Sequence, residues 1–130
     1  LAPGAARAQP WNLPALPLPP GLAALPGAGW RLGFAGRESE PASAQREALR
    51  RIGARLQERT SGRITLWGEA AETGDMSDTR RLSLARARAV AAALAEGGLD
   101  ARRVDIRATG AGGDLVDIMP PGVTRGAPPR

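Results

Sequence analysis

The sequence predicts an α/β domain built as a two-layer sandwich: a mixed four-stranded sheet, β-α-β-α-β-β in chain order, with two helices on one face. Three observations predict it. Four short runs are β-branched or alternate apolar with polar residues, and each is bounded by Gly, Ser or Pro. Two longer segments between them carry apolar residues at helical spacing. Strand-helix-strand units cross over with one hand, which puts successive helices on the same face. A chain of 130 residues is enough for one such core and too short for two.

Residues 1–29 read as a leader or linker, because Pro10, Pro14, Pro17, Pro19, Pro20 and Pro26 among Leu and Ala favour extended chain over a packed element. The residues that would give it a role are Trp11, Leu13, Leu16 and Leu18, which can dock on the domain or on an envelope protein. Ala6-Arg7-Ala8 before Gln9 has the small-x-small pattern of a signal-peptidase site, and a start at Leu1 rather than Met leads us to expect a fragment or a processed form.

The domain is expected over 30–119. Gly29-Trp30-Arg31-Leu32-Gly33-Phe34 alternates and gives the first strand. Pro41 suits a first helical position, with Ser39 or Glu40 as cap. Leu49, Ile52 and Leu56 then share one face of a helix over 41–60, and Glu47 and Arg51 make an i,i+4 pair on the other. Ser61-Gly62 stops it, and 63–67 is the second strand. After an acidic, glycine-punctuated loop, Ser77 is the expected cap of a second helix with Asp78 in its first turn. Its apolar stripe is Leu82, Ala85, Ala89, Val90, Ala93 and Leu94, and Gly97-Gly98 ends it. Strands over 104–108 and 115–119 follow, separated by a turn at Gly110-Ala111-Gly112-Gly113 and stopped by Pro120-Pro121. Residues 120–130 read as a flexible tail.

Composition narrows function by exclusion. There is no Cys and no His, which removes disulfides, thiol chemistry, the usual general base and the commonest metal ligands, so neither an enzyme nor a cofactor or metal site is expected. No stretch approaches the roughly 20 apolar residues of a membrane span. The net charge of +5 raises nucleic-acid binding. Against it, the arginines are interleaved with acids, and no aromatic interrupts the basic runs to stack on bases.

One stretch carries a resemblance. Ile64-Thr65-Leu66-Trp67-Gly68, a loop of five residues to Gly74, and then Leu82-Ser83-x-x-Arg86-Ala87-x-Ala89-Val90 resembles the OmpA-like, peptidoglycan-binding domain family of bacterial envelope proteins. That family reads approximately G-[HY]-T-D-x-x-G, then N-x-x-L-S-x-x-R-A-x-x-V, and the chain aligns with it from Gly68 to Val90 without a gap. Phe34 with Pro41, and 97–104, resemble the flanking parts.

The resemblance implies a non-enzymatic module of the Gram-negative periplasm or cell envelope that grips the stem peptide of peptidoglycan, usually at a meso-diaminopimelate end. A loop aspartate would pair with the ligand ammonium while a helix arginine forks onto its carboxylate. Carried over, the arginine is Arg86, with Leu82 and Ser83 beside it, and Thr79 standing where the family has asparagine. The loop aspartate, however, is Ala71, the threonine before it is Ala70, and the family's N-R-R-[VI] is Gly113-Asp114-Leu115-Val116. Losing one partner of a buried charge pair costs about 2–5 kcal/mol. Glu69 offers a replacement if the strand runs on, since its carboxylate leaves on the same side as position 71; Glu72 and Asp75 are looser candidates. The bland reading of Arg86 is a staple to Asp75 or Asp78. Two functions follow: peptidoglycan association through Arg86 in an altered site, or a degenerate domain that has lost binding and serves as a structural or protein-interaction subunit.

Overall fold

The alternating runs do pair into a sheet, and one more strand joins them. The computed structural model describes residues 16–71 and 74–125. In chain order the elements are β1 (Leu22–Ala24), β2 (Trp30–Gly33), α1 (Ser43–Arg59), β3 (Ile64–Glu69), α2 (Met76–Glu96), a 3-10 turn (Ala101–Arg103), β4 (Val104–Ala108) and β5 (Leu115–Met119). The sheet order is β1-β2-β5-β3-β4; β3 and β4 are parallel and every other neighbour pair is antiparallel.

The five-stranded sheet corrects the four-stranded expectation, and the extra strand comes from the segment read as leader. Leu22–Ala24 pairs with β2, Leu22 is buried, and Leu16 and Leu18 pack against the core. A three-residue strand of Leu-Ala-Ala shows no alternation, and prolines on both sides hide it. Trp11, Leu13, the signal-peptidase pattern, Glu72 and 126–130 lie outside the described residues.

The core lies between the sheet and the helices. Leu32, Leu66, Val116 and Ile118 from the sheet meet Leu49, Ile52 and Leu56 of α1 and Val90 and Leu94 of α2, all fully buried. The helices touch backbone to backbone: a Cβ on Gly53 would stand 2.1 Å from the Leu94 carbonyl oxygen, and one on Gly97 would stand 1.9 Å from that of Arg50. Glycine is the residue that permits this approach.

Helix ends and pairs differ in detail from expectation. α1 starts at Ser43 rather than Pro41, because Gln45 Oε1 turns back to accept the Ala42 N–H (2.9 Å) while its Nε2 donates to the Pro20 carbonyl (2.9 Å). Glu47 pairs with Arg50 (3.1 Å), which also reaches Glu96 of α2 (3.0 Å). α2 is capped by Asp75, not Ser77: Asp75 Oδ1 accepts the N–H groups of Ser77 (2.9 Å) and Asp78 (3.4 Å).

The buried stripe of α2 is the larger surprise. Val90, Ala93 and Leu94 face the core as predicted, but the N-terminal half buries Thr79, Ser83, Arg86 and Ala87, leaving Leu82 half-buried and Ala85 exposed. The cause is proximity, since a Cβ on Gly68 would stand 2.4 Å from the Ser83 carbonyl oxygen. Bulky apolar side chains have no room there, whereas hydroxyls are satisfied within the helix: Thr79 Oγ1 donates to the Asp75 carbonyl (2.9 Å) and Ser83 Oγ to that of Arg80 (2.8 Å).

Candidate ligand site around Arg86

Arg86 is the largest fully buried side chain, with no exposed surface. A guanidinium tolerates that only if its fixed fork of five N–H groups finds acceptors. Nε donates to the Glu38 carbonyl (2.7 Å) and Nη2 to that of Gly36 (2.9 Å), both in the β2–α1 loop. Nη1 donates to the Glu69 carbonyl at the end of β3 (3.1 Å) and to Asp114 Oδ1 before β5 (2.8 Å). The Phe34 ring lies alongside, its centroid 5.0 Å from the guanidinium carbon. One side chain thus joins three loops at one end of the sheet.

Asp114 supplies the counter-charge. Its Oδ1 also accepts the Ala71 N–H (3.0 Å), and that bond, followed by the one from Arg86, holds the Asp114 carboxyl below the usual aspartate range. The bland reading of Arg86 as a staple is right in kind and corrected in partner. Asp75 is occupied as a helix cap and Asp78 pairs with Arg81 (3.0 Å). The sequence signal for Asp114 was faint: an acid after glycines and before an apolar strand, with no base adjacent.

The other expected site residues separate. Glu69 turns its carbonyl to Arg86 and its carboxylate to the opposite face of the sheet, because neighbouring Gly68 faces α2 and side chains alternate along a strand. There Glu69 Oε1 accepts the Gly113 N–H (2.9 Å) and Oε2 pairs with Arg125. Glu69 and Arg86 therefore do not face a common pocket. Thr79 and Ser83 spend their hydroxyls on their own helix, Leu82 is half-buried, and Ala70 is fully buried. What the fold brings together is Arg86, the Ala71 N–H, the Glu69 carbonyl and Asp114. Among the described residues no cluster of acids is placed to hold a metal, and no helix is long and apolar enough to cross a membrane.

This geometry sits in a region whose sequence matches a family model: residues 34–123 match the OmpA family. The chain belongs to the OmpA family. Solved structures with a similar fold include the OmpA-like domain of FopA1 from Francisella tularensis, at 17% identity and a TM-score of 0.57, covering 78% of this chain and 89% of that one. The periplasmic domain of Helicobacter pylori MotB is 16% identical with a TM-score of 0.59, covering 75% of this chain and 78% of that one. An outer membrane protein from Borrelia burgdorferi is 18% identical with a TM-score of 0.58, covering 75% and 93%. No curated protein sequence matches the chain.

This OmpA-family domain carries a second polar cluster on the sheet face away from the helices. Asp117, almost fully buried, accepts a bidentate pair from Arg31 across the β2–β5 ladder, Nε to Oδ1 (2.6 Å) and Nη2 to Oδ2 (2.8 Å). Arg125 adds Nε to Asp117 Oδ2 (3.0 Å), reaches Glu69, and lies over the Trp67 ring, 5.3 Å from its centroid. The Arg31 to Asp117 pairing was latent in strand alternation. Arg125, in the predicted flexible tail, had no local signal.

Proposed function

We propose that this OmpA-family domain is a non-enzymatic module of the Gram-negative periplasm or cell envelope whose stem-peptide clamp is closed, so that it serves as a structural or protein-interaction part of an envelope assembly. OmpA-like domains are commonly peptidoglycan-associated, which supports the location. The observation that carries the closed clamp is the burial of Arg86: it has no exposed surface, and its guanidinium is already engaged by three carbonyls and the Asp114 carboxylate.

A stem-peptide carboxylate reaching Arg86 would first have to displace Asp114. Uncoupling a buried charge pair costs about 2–5 kcal/mol, and an affinity falls in proportion to the fraction of molecules in the competent state. A micromolar intrinsic site then weakens by roughly one and a half to three and a half decades. The experiment is co-sedimentation with purified sacculi at low salt. Wild type should remain in the supernatant as it does without sacculi, and Ala71→Asp, which restores the loop acid, should not change that. Retention of the wild type that is abolished in a folded Arg86→Lys variant overturns the closed clamp in favour of stem-peptide binding.

A further inference from the structure

We infer that Asp114 is a built-in ligand: its carboxylate fills a cradle, formed by the Ala71 N–H and Arg86 Nη1, that accepts a small carboxylate from solution once the Asp114 side chain is removed. The inference rests on the closed-clamp reading and names the group that closes it. Three observations carry it. A single oxygen of Asp114 receives both donors, at 3.0 Å from Ala71 N and 2.8 Å from Arg86 Nη1, so the cradle is a two-donor seat for one oxyanion oxygen, which a carboxylate supplies. Asp114 is also the outermost member of the group. Its side chain is 33% exposed while that of Arg86 is 0% exposed, so deleting it opens the cradle to solvent.

The third observation is that the charged wall of the cradle, Arg86, and the backbone that carries Asp114 are held by bonds other than those of the Asp114 side chain. Arg86 keeps three carbonyl partners, from Gly36, Glu38 and Glu69. The backbone around Asp114 is pinned from both sides, the Phe34 N–H donating to the Asp114 carbonyl (2.9 Å) and the Gly113 N–H to Glu69 Oε1 (2.9 Å). Replacing Asp114 with alanine therefore removes a carboxylate from a standing site, and the space vacated is the size of formate. Arg37 adds positive field at the same mouth.

The test is thermal unfolding of Asp114→Ala in sodium formate against sodium chloride at equal ionic strength. Formate at about ten times its dissociation constant should raise the melting temperature by on the order of 5 °C. Wild type and Asp114→Asn, whose side chains still fill the cradle, should show no formate-specific rise. A crystal of the alanine variant grown in formate should place one formate oxygen on Ala71 N and Arg86 Nη1. If Asp114→Ala does not fold in chloride, Asp114→Ser and the refolding yield in formate against chloride read the same property. Equal behaviour of both variants in formate and chloride overturns the inference, as does an equal formate shift in the wild type. Sacculus retention of the wild type would instead sink the functional reading while leaving the formate result to stand by itself.

Discussion

A buried guanidinium needs both its N–H groups and its charge met, and Arg86 meets them with three carbonyls and one carboxylate. Truncating it strands Asp114 and three acceptors, so Arg86→Ala should lose about 3–5 kcal/mol of unfolding free energy in urea. Arg86→Lys should recover only part of that, because a lysine cannot span the same fork of acceptors. Asp114 adds a pH signature. Its folded pKa lies below the unfolded value of about 4. Its contribution is therefore complete above that value and is lost as pH falls through the folded pKa. The stability gap between wild type and Asp114→Asn, measured by urea titration, should hold from about pH 7 to pH 5 and shrink as pH falls below about 4. At this scale the sequence drew attention to Arg86 through a family motif, and the structure shows it as the largest fully buried side chain. The sequence could not nominate Asp114, 28 residues away, because partner choice is settled by which loops the sheet brings together.

Elements were most legible where one apolar period ran long enough to be counted. α1 and the last two strands came out within a residue or two, since Leu49, Ile52 and Leu56 or the run at 115–119 have no competing arrangement. α2 was half legible. Its N-terminal turns bury polar residues because Gly68 lets the helix sit too close for leucine. β1 was illegible, and its packing makes a test. A spacer would be indifferent to substitution, but buried Leu22 should make Leu22→Ala cost about 2–5 kcal/mol in denaturant unfolding. Gly53 gives a second test, in which two effects oppose one another. Alanine in a helix interior gains about 1 kcal/mol over glycine. A Cβ here would stand 2.1 Å from the Leu94 carbonyl oxygen, backbone that cannot move without separating the helices. Overpacking of about 1–3 kcal/mol should win, so Gly53→Ala should lower the melting temperature although propensity alone says it should rise.

Across the whole molecule, the two faces of the sheet are closed by different means. Helices and apolar packing cover one; on the other, charge does it, with buried Asp117 held between Arg31 from β2 and Arg125 from beyond β5. The C-terminal segment is thereby tied to the first long strand, and a sequence of +5 net charge directs two of its arginines to one carboxylate. Either arginine alone leaves Asp117 with a cation, so each single change to alanine should be mild, on the order of 1–2 kcal/mol for a partly exposed partner. Removing both strands a carboxylate that is 1% exposed, and an uncompensated buried charge costs about 3–5 kcal/mol. Unfolding of Arg31→Ala, Arg125→Ala and the double variant should therefore give a coupling energy that makes the double loss exceed the sum of the singles. Simple additivity would show that the two guanidiniums do not share Asp117 and that the tail is not part of the closed face.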